Sequence, residues 1–198
     1  GACATATHGS GVALGNLATA VSGIKFINAK GDLVRLSREG DRDTFPGAVV
    51  SLGALGPIVS LTLDVQPAFN IHQNVYRDLP YDAFEAHFDE IMARGYSVSA
   101  FPTWRGAAVE QVWVKSVSDG GMARKAPGSF FGARTATANI HPIAELDAAN
   151  CTEQMGLPGP ACDRLPHFRP GSIPAAGGDL QVEYFFAREH AVDVVRTL

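Results

Sequence analysis

The chain has no run of eighteen apolar residues, so no segment of it reads as a membrane-spanning helix, and no membrane association is expected. It has no basic cluster either. Its 16 Lys and Arg stand against 20 Asp and Glu, a formal charge of -4, which argues against a nucleic-acid partner. Charged residues make up only 18% of the chain against 46% hydrophobic, and this excludes a disordered composition. The 198 residues suffice for one large or two small domains with a substantial core. Cysteine is scarce. Cys3, Cys151 and Cys162 are odd in number and lie in loop-like contexts, so no disulfide framework is implied and a reducing, cytoplasmic setting is expected. Cys151 and Cys162, with His141 and His167 in the same region, lack the short paired spacing of structural zinc, and no metal ligand is assigned.

Several nucleotide and hydrolase signatures are missing as well. HGSGVALG places glycines at 9, 11 and 15, one step too long for the G-x-G-x-x-G of a dinucleotide fold. No Walker lysine follows, because Lys25 sits inside an apolar-alternating run. HGSG is not the G-x-S-x-G elbow of a serine hydrolase.

What the chain does have is an N-terminal stretch, GACATATHGSGVALGN, built almost wholly from small residues. All but His8 and Leu14 of its first fifteen are Gly, Ala, Thr, Ser, Cys or Val, so another group can approach the backbone closely. Gly9, Gly11 and Gly15 permit positive φ, and successive N–H groups can then converge on one anion. A phosphate-bearing ligand is one reading of this pattern. A small-residue strand and turn packed against a neighbour is the other.

Past this stretch, apolar residues at 21, 24, 26 and 27 and at 33, 34 and 36 flank the turn AKGD and predict a β-hairpin. PGAVVSLGALG predicts a short helix with Pro46 in its first turn and Gly53 or Gly56 at its end. Residues 58 to 65 alternate cleanly and predict a strand. Pro67 ends it, and the domain division is placed there, as 1–67 and 68–198. A strand over 71 to 76 follows. Phe84, Phe88, Ile91 and Met92 then fall at helical spacing before Gly95. Strands are predicted at 96–104, 110–117 and 180–186, with a helix from Glu189 and an irregular excursion over 118–178. This order predicts an α+β fold in which an antiparallel sheet carries helices on one face and leaves the other free to close over a cofactor. Glu183, Trp104 and Arg105 are candidates for lining a cavity, with exposed or edge-packed roles as the alternative.

GACATATHGSG, GNLATAV at 15–21 and SLGALGPIVSLTLDVQP at 51–67 resemble the second half of the flavin-binding domain in the vanillyl-alcohol oxidase superfamily. YSVSAFPTWRG at 96–106, QVWVK at 111–115, NCTEQMGLPGPACDRLPHFRPG at 150–171 and LQVEYFFAREHA at 180–191 resemble the substrate, or cap, domain of its sugar-alcohol and aldonolactone oxidase branch, which includes the bacterial alditol (xylitol) oxidases. The resemblance implies that 1–67 is the C-terminal part of an FAD-binding domain and 68–198 an incomplete cap. It further implies FAD as cofactor, held through Gly1, Ala2, Cys3, Ala4, Thr5, His8 and Ser10, with a second contact at Ile58. Pro57 there removes one N–H donor. His8 would bond a phosphate or the ribityl chain; a histidine holding its own loop through backbone carbonyls is the alternative.

The chain begins at a Gly inside this motif, without an initiator Met, and is expected to be a middle fragment. By the resemblance, the His that links FAD covalently precedes Gly1 and the substrate-contacting residues follow Leu198, so no catalytic residue is assigned. The implied activity is oxidation of a primary hydroxyl of an acyclic polyol by O2, giving an aldose and hydrogen peroxide. Aldonolactone oxidation is the alternative. The 198 residues by themselves are expected to be inactive, to lack flavin, and to self-associate through exposed strand edges.

Overall fold

The computed structural model describes residues 1–119, 121–123, 126–172 and 180–197. It divides into two compact units, Gly1–Pro67 and Ala68–Leu198.

In the first unit β1 (Val21–Ile27) lies between β2 (Leu33–Ser37) and β3 (Ile58–Leu63), antiparallel to both. The hairpin turn closes as the sequence predicts. The Asn28 side-chain oxygen accepts from the Lys30 and Asp32 amides at 2.9 Å each, and Gly31 takes φ +85°. Val21, Ile24 and Phe26 of β1 bury against Phe45 and Val49 of α1 (Phe45–Val49). That helix stops short of both expected glycines. It ends at Val49, and the chain then turns through Leu52 and Gly53, both at positive φ. Arg38 ties the ends of two strands together: its guanidinium donates to the Val21 carbonyl at 2.6 Å and the Thr19 carbonyl at 2.8 Å, and pairs with Asp64 at 2.6 Å. β3 ends at Leu63 rather than 65, and each of its six residues is exposed.

The second unit is a sheet in the order β5-β6-β4-β7, formed by β4 (Asn70–Pro80), β5 (Ser97–Phe101), β6 (Ala108–Ser118) and β7 (Arg134–Thr135). β4 and β6 pair antiparallel from Asn70↔Ser118 to Pro80↔Ala108. β8 (Gly159–Pro160) adds to the start of β4 and leads into α4 (Ala161–Arg164). The helix expected over 81–95 is two pieces, α2 (Tyr81–Ala86) and α3 (Phe88–Met92). His87, at φ -123° and ψ 23°, steps out of helical geometry between them. Phe84 and Ile91 nevertheless reach one core with Tyr76, Leu79, Val98, Val112 and Val114, as their spacing predicts. Residues 180–187 run exposed outside both sheets, so the strand expected there does not form. α5 (Ala191–Thr197) then packs back, with Arg196 on Glu85 at 2.6 Å and Val195 against the core.

The second sheet face is not open. Residues from the long excursion cover it, burying Val75 and Trp113 with Ala136 and Cys151. The expectation of a free face fails because this face carries Trp113 and Lys115, which need partners that the excursion supplies.

Candidate functional site

The small-residue stretch forms a turn of helix rather than a strand. Thr5 N donates to the Gly1 carbonyl at 3.2 Å, Ala6 N to Cys3 at 3.1 Å and Thr7 N to Ala2 at 3.1 Å. With Ala6 at φ +53°, the last two bonds are the pair that closes a Schellman motif. The amides of Thr5, Ala6 and Thr7 are therefore used within the loop and are not available to an anion. Of the three glycines that permit positive φ, only Gly11 takes it, at +132°. Gly15 is small for a different reason: a Cβ there would meet the Thr19 hydroxyl at 2.5 Å.

The expected site residues occupy one connected loop, with one exception. Ala4 is buried and Cys3 packs on the first core, which anchors the turn. Gly1, Ala2, Thr5 and His8 face outward, and Ser10 is half-buried. A Cβ at Gly1 or Gly9 would meet nothing within 4 Å, so the backbone is open to a bulky group at both points. The Thr5 hydroxyl donates to the Ala2 carbonyl at 3.2 Å, and His8 Nδ1 lies 3.2 Å from the Gly9 carbonyl. Ile58 stands apart on β3, opposite Phe26, and the Pro57 carbonyl is taken by Ile27 N at 3.1 Å. Leu52 N, donating to Ala4 at 3.1 Å, ties the loop to the segment leading to Ile58. Gly56 is required there, because a Cβ would collide with the Ile27 carbonyl oxygen.

Asn16, which the sequence reading did not single out, closes this stretch. Its side-chain oxygen is buried with no hydrogen-bond partner among the described residues, an acceptor placed to take a ligand N–H or O–H. Only its place at the end of the Gly-rich stretch would have pointed to it.

Sequence reasoning also missed a buried polar group in the second unit. Gln73, Lys115 and Ser97 lie in register across three strands, all buried. Lys115 Nζ donates to the Leu165 carbonyl and, at 2.9 Å, to the Pro166 carbonyl. Thr152 bonds the Pro166 carbonyl at 2.7 Å, and Arg169 Nε the Cys151 carbonyl at 3.0 Å. Burial holds the Lys115 ammonium down to about 7. Burial, and secondarily the Lys115 charge, holds His167 down to about 4. His141 and His167 thus serve aromatic packing, His167 standing edge-on to Trp113 at 5.4 Å. Trp104 is 45% exposed and Glu183 is exposed.

No protein-family model matches the chain. Among solved structures it superposes on a variant of cholesterol oxidase from Brevibacterium sterolicum with a TM-score of 0.50, at 20% identity, over 66% of this chain and 28% of that one. The likeness is one of fold: the chain shares part of that structure's α+β architecture. Among curated sequences the chain is 45% identical to alditol oxidase of a Streptomyces species over 98% of its own length. It is 34% identical to a putative D-arabinono-1,4-lactone oxidase of Neurospora crassa over 60% of its length, and 44% identical to L-gulono-1,4-lactone dehydrogenase of Mycobacterium tuberculosis over 39%. The chain is thus similar to alditol oxidase over nearly its whole length and to aldonolactone oxidases and a dehydrogenase over shorter stretches. It spans 45% of the alditol oxidase's length and 21% of the putative lactone oxidase's.

Proposed function

We propose that the whole protein is an FAD-dependent alditol oxidase that converts the primary hydroxyl of an acyclic polyol, such as xylitol or sorbitol, to the aldehyde of the aldose, with O2 reduced to hydrogen peroxide. The observation that carries this reading is the 45% identity to alditol oxidase across nearly the entire chain. FAD, when bound, supplies the hydride acceptor and passes the electrons on to oxygen. The residues described fit such a group in part. The open backbone at Gly1 and Gly9 and the buried acceptor of Asn16 suit it, whereas the amides of Thr5 to Thr7 are already engaged. In this reading the first-turn amides of Ala2, Cys3 and Ala4 lack intrahelical acceptors and approach the pyrophosphate. His8 and Ser10 orient the phosphates or the ribityl chain, and the Ile58 backbone meets the adenine side. The residue linking FAD covalently and those touching substrate lie outside these 198 residues. A cytoplasmic location suits the three free thiols.

Aldonolactone oxidation is the second reading, supported by the lactone oxidases and dehydrogenase to which the chain is also similar. Peroxide release by the whole protein separates the two. Turnover of xylitol and sorbitol above that of an L-gulono- or D-arabinono-lactone supports the first, and the reverse order overturns it. A flavin titration of the 198-residue chain, with His8→Ala alongside, tests the loop. If the residues outside it supply even ~4 kcal/mol of the interaction, affinity drops about 10³-fold, and only weak quenching is expected. Quenching that His8→Ala leaves unchanged removes His8 from the site.

The exposed edge of β3 also favours pairing with a second copy of this chain. Val59 is 60% exposed and Leu63 48%, and among the described residues β3 pairs with β1 alone.

A further inference from the structure

The second unit has an open-sided cavity of about 490 Å³ on the sheet face that carries the helices. α2 and α3 cover the face where it is apolar, over Val112, Val114 and Leu79. Toward the other end of the same strands the face turns polar. His72 and Ser116 stand opposite one another on β4 and β6, and Asn74 is two residues along from His72 on the same face. These three form the floor. The walls are aromatic: Tyr76 stacks on Phe130 at 4.2 Å and 15°, with Phe131 at the rim. Ser129 completes the polar set.

Two features go beyond ordinary packing. The first is the turn that presents the aromatic wall. Phe130 and Ala133 form a bridge, and between them Phe131 and Gly132 take φ +51° and +89°, the two positive values of a type I′ turn. A bulky aromatic residue in that conformation costs about 1–2 kcal/mol, a cost that concentrates at ligand-contacting positions. The second is Arg94. Its guanidinium carbon sits 5.1 Å from the Phe131 ring centre, and it is the cationic residue of the lining; no Asp or Glu lines the cavity among the described residues. Glu90 holds one guanidinium nitrogen loosely, at 3.7 Å from outside the lining, and the fork has further donors.

An aromatic wall, hydroxyl and amide groups on the floor, and one fork-shaped cation only loosely held by Glu90 match a small hydroxylated molecule carrying one oxyanion. We propose that this cavity binds a sugar-derived oxyanion, either a sugar acid or a sugar phosphate, with Arg94 on the anion and Asn74, Ser116 and Ser129 on its hydroxyls. The volume lies within the range of ordinary small-molecule sites. The proposal does not depend on the flavin reading, since every residue in it belongs to the second unit.

Titration of the 198-residue chain with gluconate, glucose 6-phosphate and uncharged sorbitol tests it, by calorimetry and by amide chemical-shift mapping. Saturable binding of either anion is expected, with shifts centred on Asn74, Ser116 and Ser129, and with sorbitol about tenfold weaker or worse. Gluconate alone identifies a carboxylate ligand, glucose 6-phosphate alone a phosphate. Arg94→Gln weakens the anion about tenfold and leaves sorbitol unchanged, whereas Glu90→Gln, which releases Arg94, tightens it a few-fold. A merely structural Arg94 would not give these opposite effects. Failure of both anions to saturate by ~10 mM, equal binding of sorbitol, or shifts lying elsewhere in the unmodified chain overturns the proposal.

Discussion

Ala6 occupies the left-handed position that closes the helical turn of residues 1–7, a place where glycine is the usual occupant. The Cβ costs about 1–2 kcal/mol there, against roughly 0.5–1 kcal/mol of chain entropy that a glycine would add to the unfolded state. Ala6→Gly is therefore expected to stabilise the first unit by roughly 0.5–1 kcal/mol, read as a higher urea midpoint. A lower midpoint would mean that the methyl group packs to more effect than the backbone strains. Gln73 makes the opposite kind of residue-scale argument. Its side chain is fully buried, and neither amide atom has a partner among the described residues. Gln73→Leu removes two desolvated polar atoms and is expected to raise stability by about 1–2 kcal/mol. Destabilisation by a similar amount would show that the amide is satisfied by ordered water.

At the scale of elements, the decisive contact is between β6 and the excursion segment of residues 151–169. Lys115 donates to the Leu165 and Pro166 carbonyls from the buried middle of the strand, and Thr152 and Arg169 brace the same segment. Because burial lowers Lys115 from 10.5 to about 7, the unfolded chain binds more protons than the folded one between those values. The contribution of Lys115 to stability thus rises from about pH 7 to 10.5 and is lost as pH falls through about 7. His167, lowered from 6.5 to about 4, adds a second loss as pH falls from 6.5 toward 4. Unfolding midpoints measured at pH 6, 7.5 and 9 are expected to climb in the unmodified chain, and Lys115→Met is expected to flatten the rise above pH 7. An unchanged slope in the variant would assign the rise to other groups.

For the chain as a whole, the two units differ in how completely they cover the faces of their sheets. In the second, helices lie on one sheet face and the excursion on the other. In the first, Leu52 is 76% exposed and β3 shows apolar side chains on both faces. An unpaired edge of this kind associates readily with another copy. Sedimentation at rising concentration is expected to show a dimer, and Val59→Lys, which places a charge on the edge, is expected to restore the monomer. A monomer at all concentrations would mean that the twist or the side chains of β3 already block pairing.

Much of this architecture was legible in the chain itself. The 28–32 turn, the alternation from residue 58 and the helical spacing of Phe84, Ile91 and Met92 all follow from local periodicity, which depends on nothing beyond neighbouring residues. The family was legible in long motifs, and the 45% identity to alditol oxidase agrees with them. Local pattern failed where distant residues decide. Thr5 to Thr7 spend their amides on a helical turn, because the apolar anchors Cys3 and Ala4 are drawn to a core assembled from residues 18–49. Residues 180–186 alternate as a strand would, yet take no place in the sheet, since strand pairing needs a partner edge as well as a pattern. Nothing in the alternation of residues 112–115 marks Lys115 as buried. Only the return of the chain at 165–167 brings two carbonyls to its amine, and a buried charge is tolerable only where such acceptors exist.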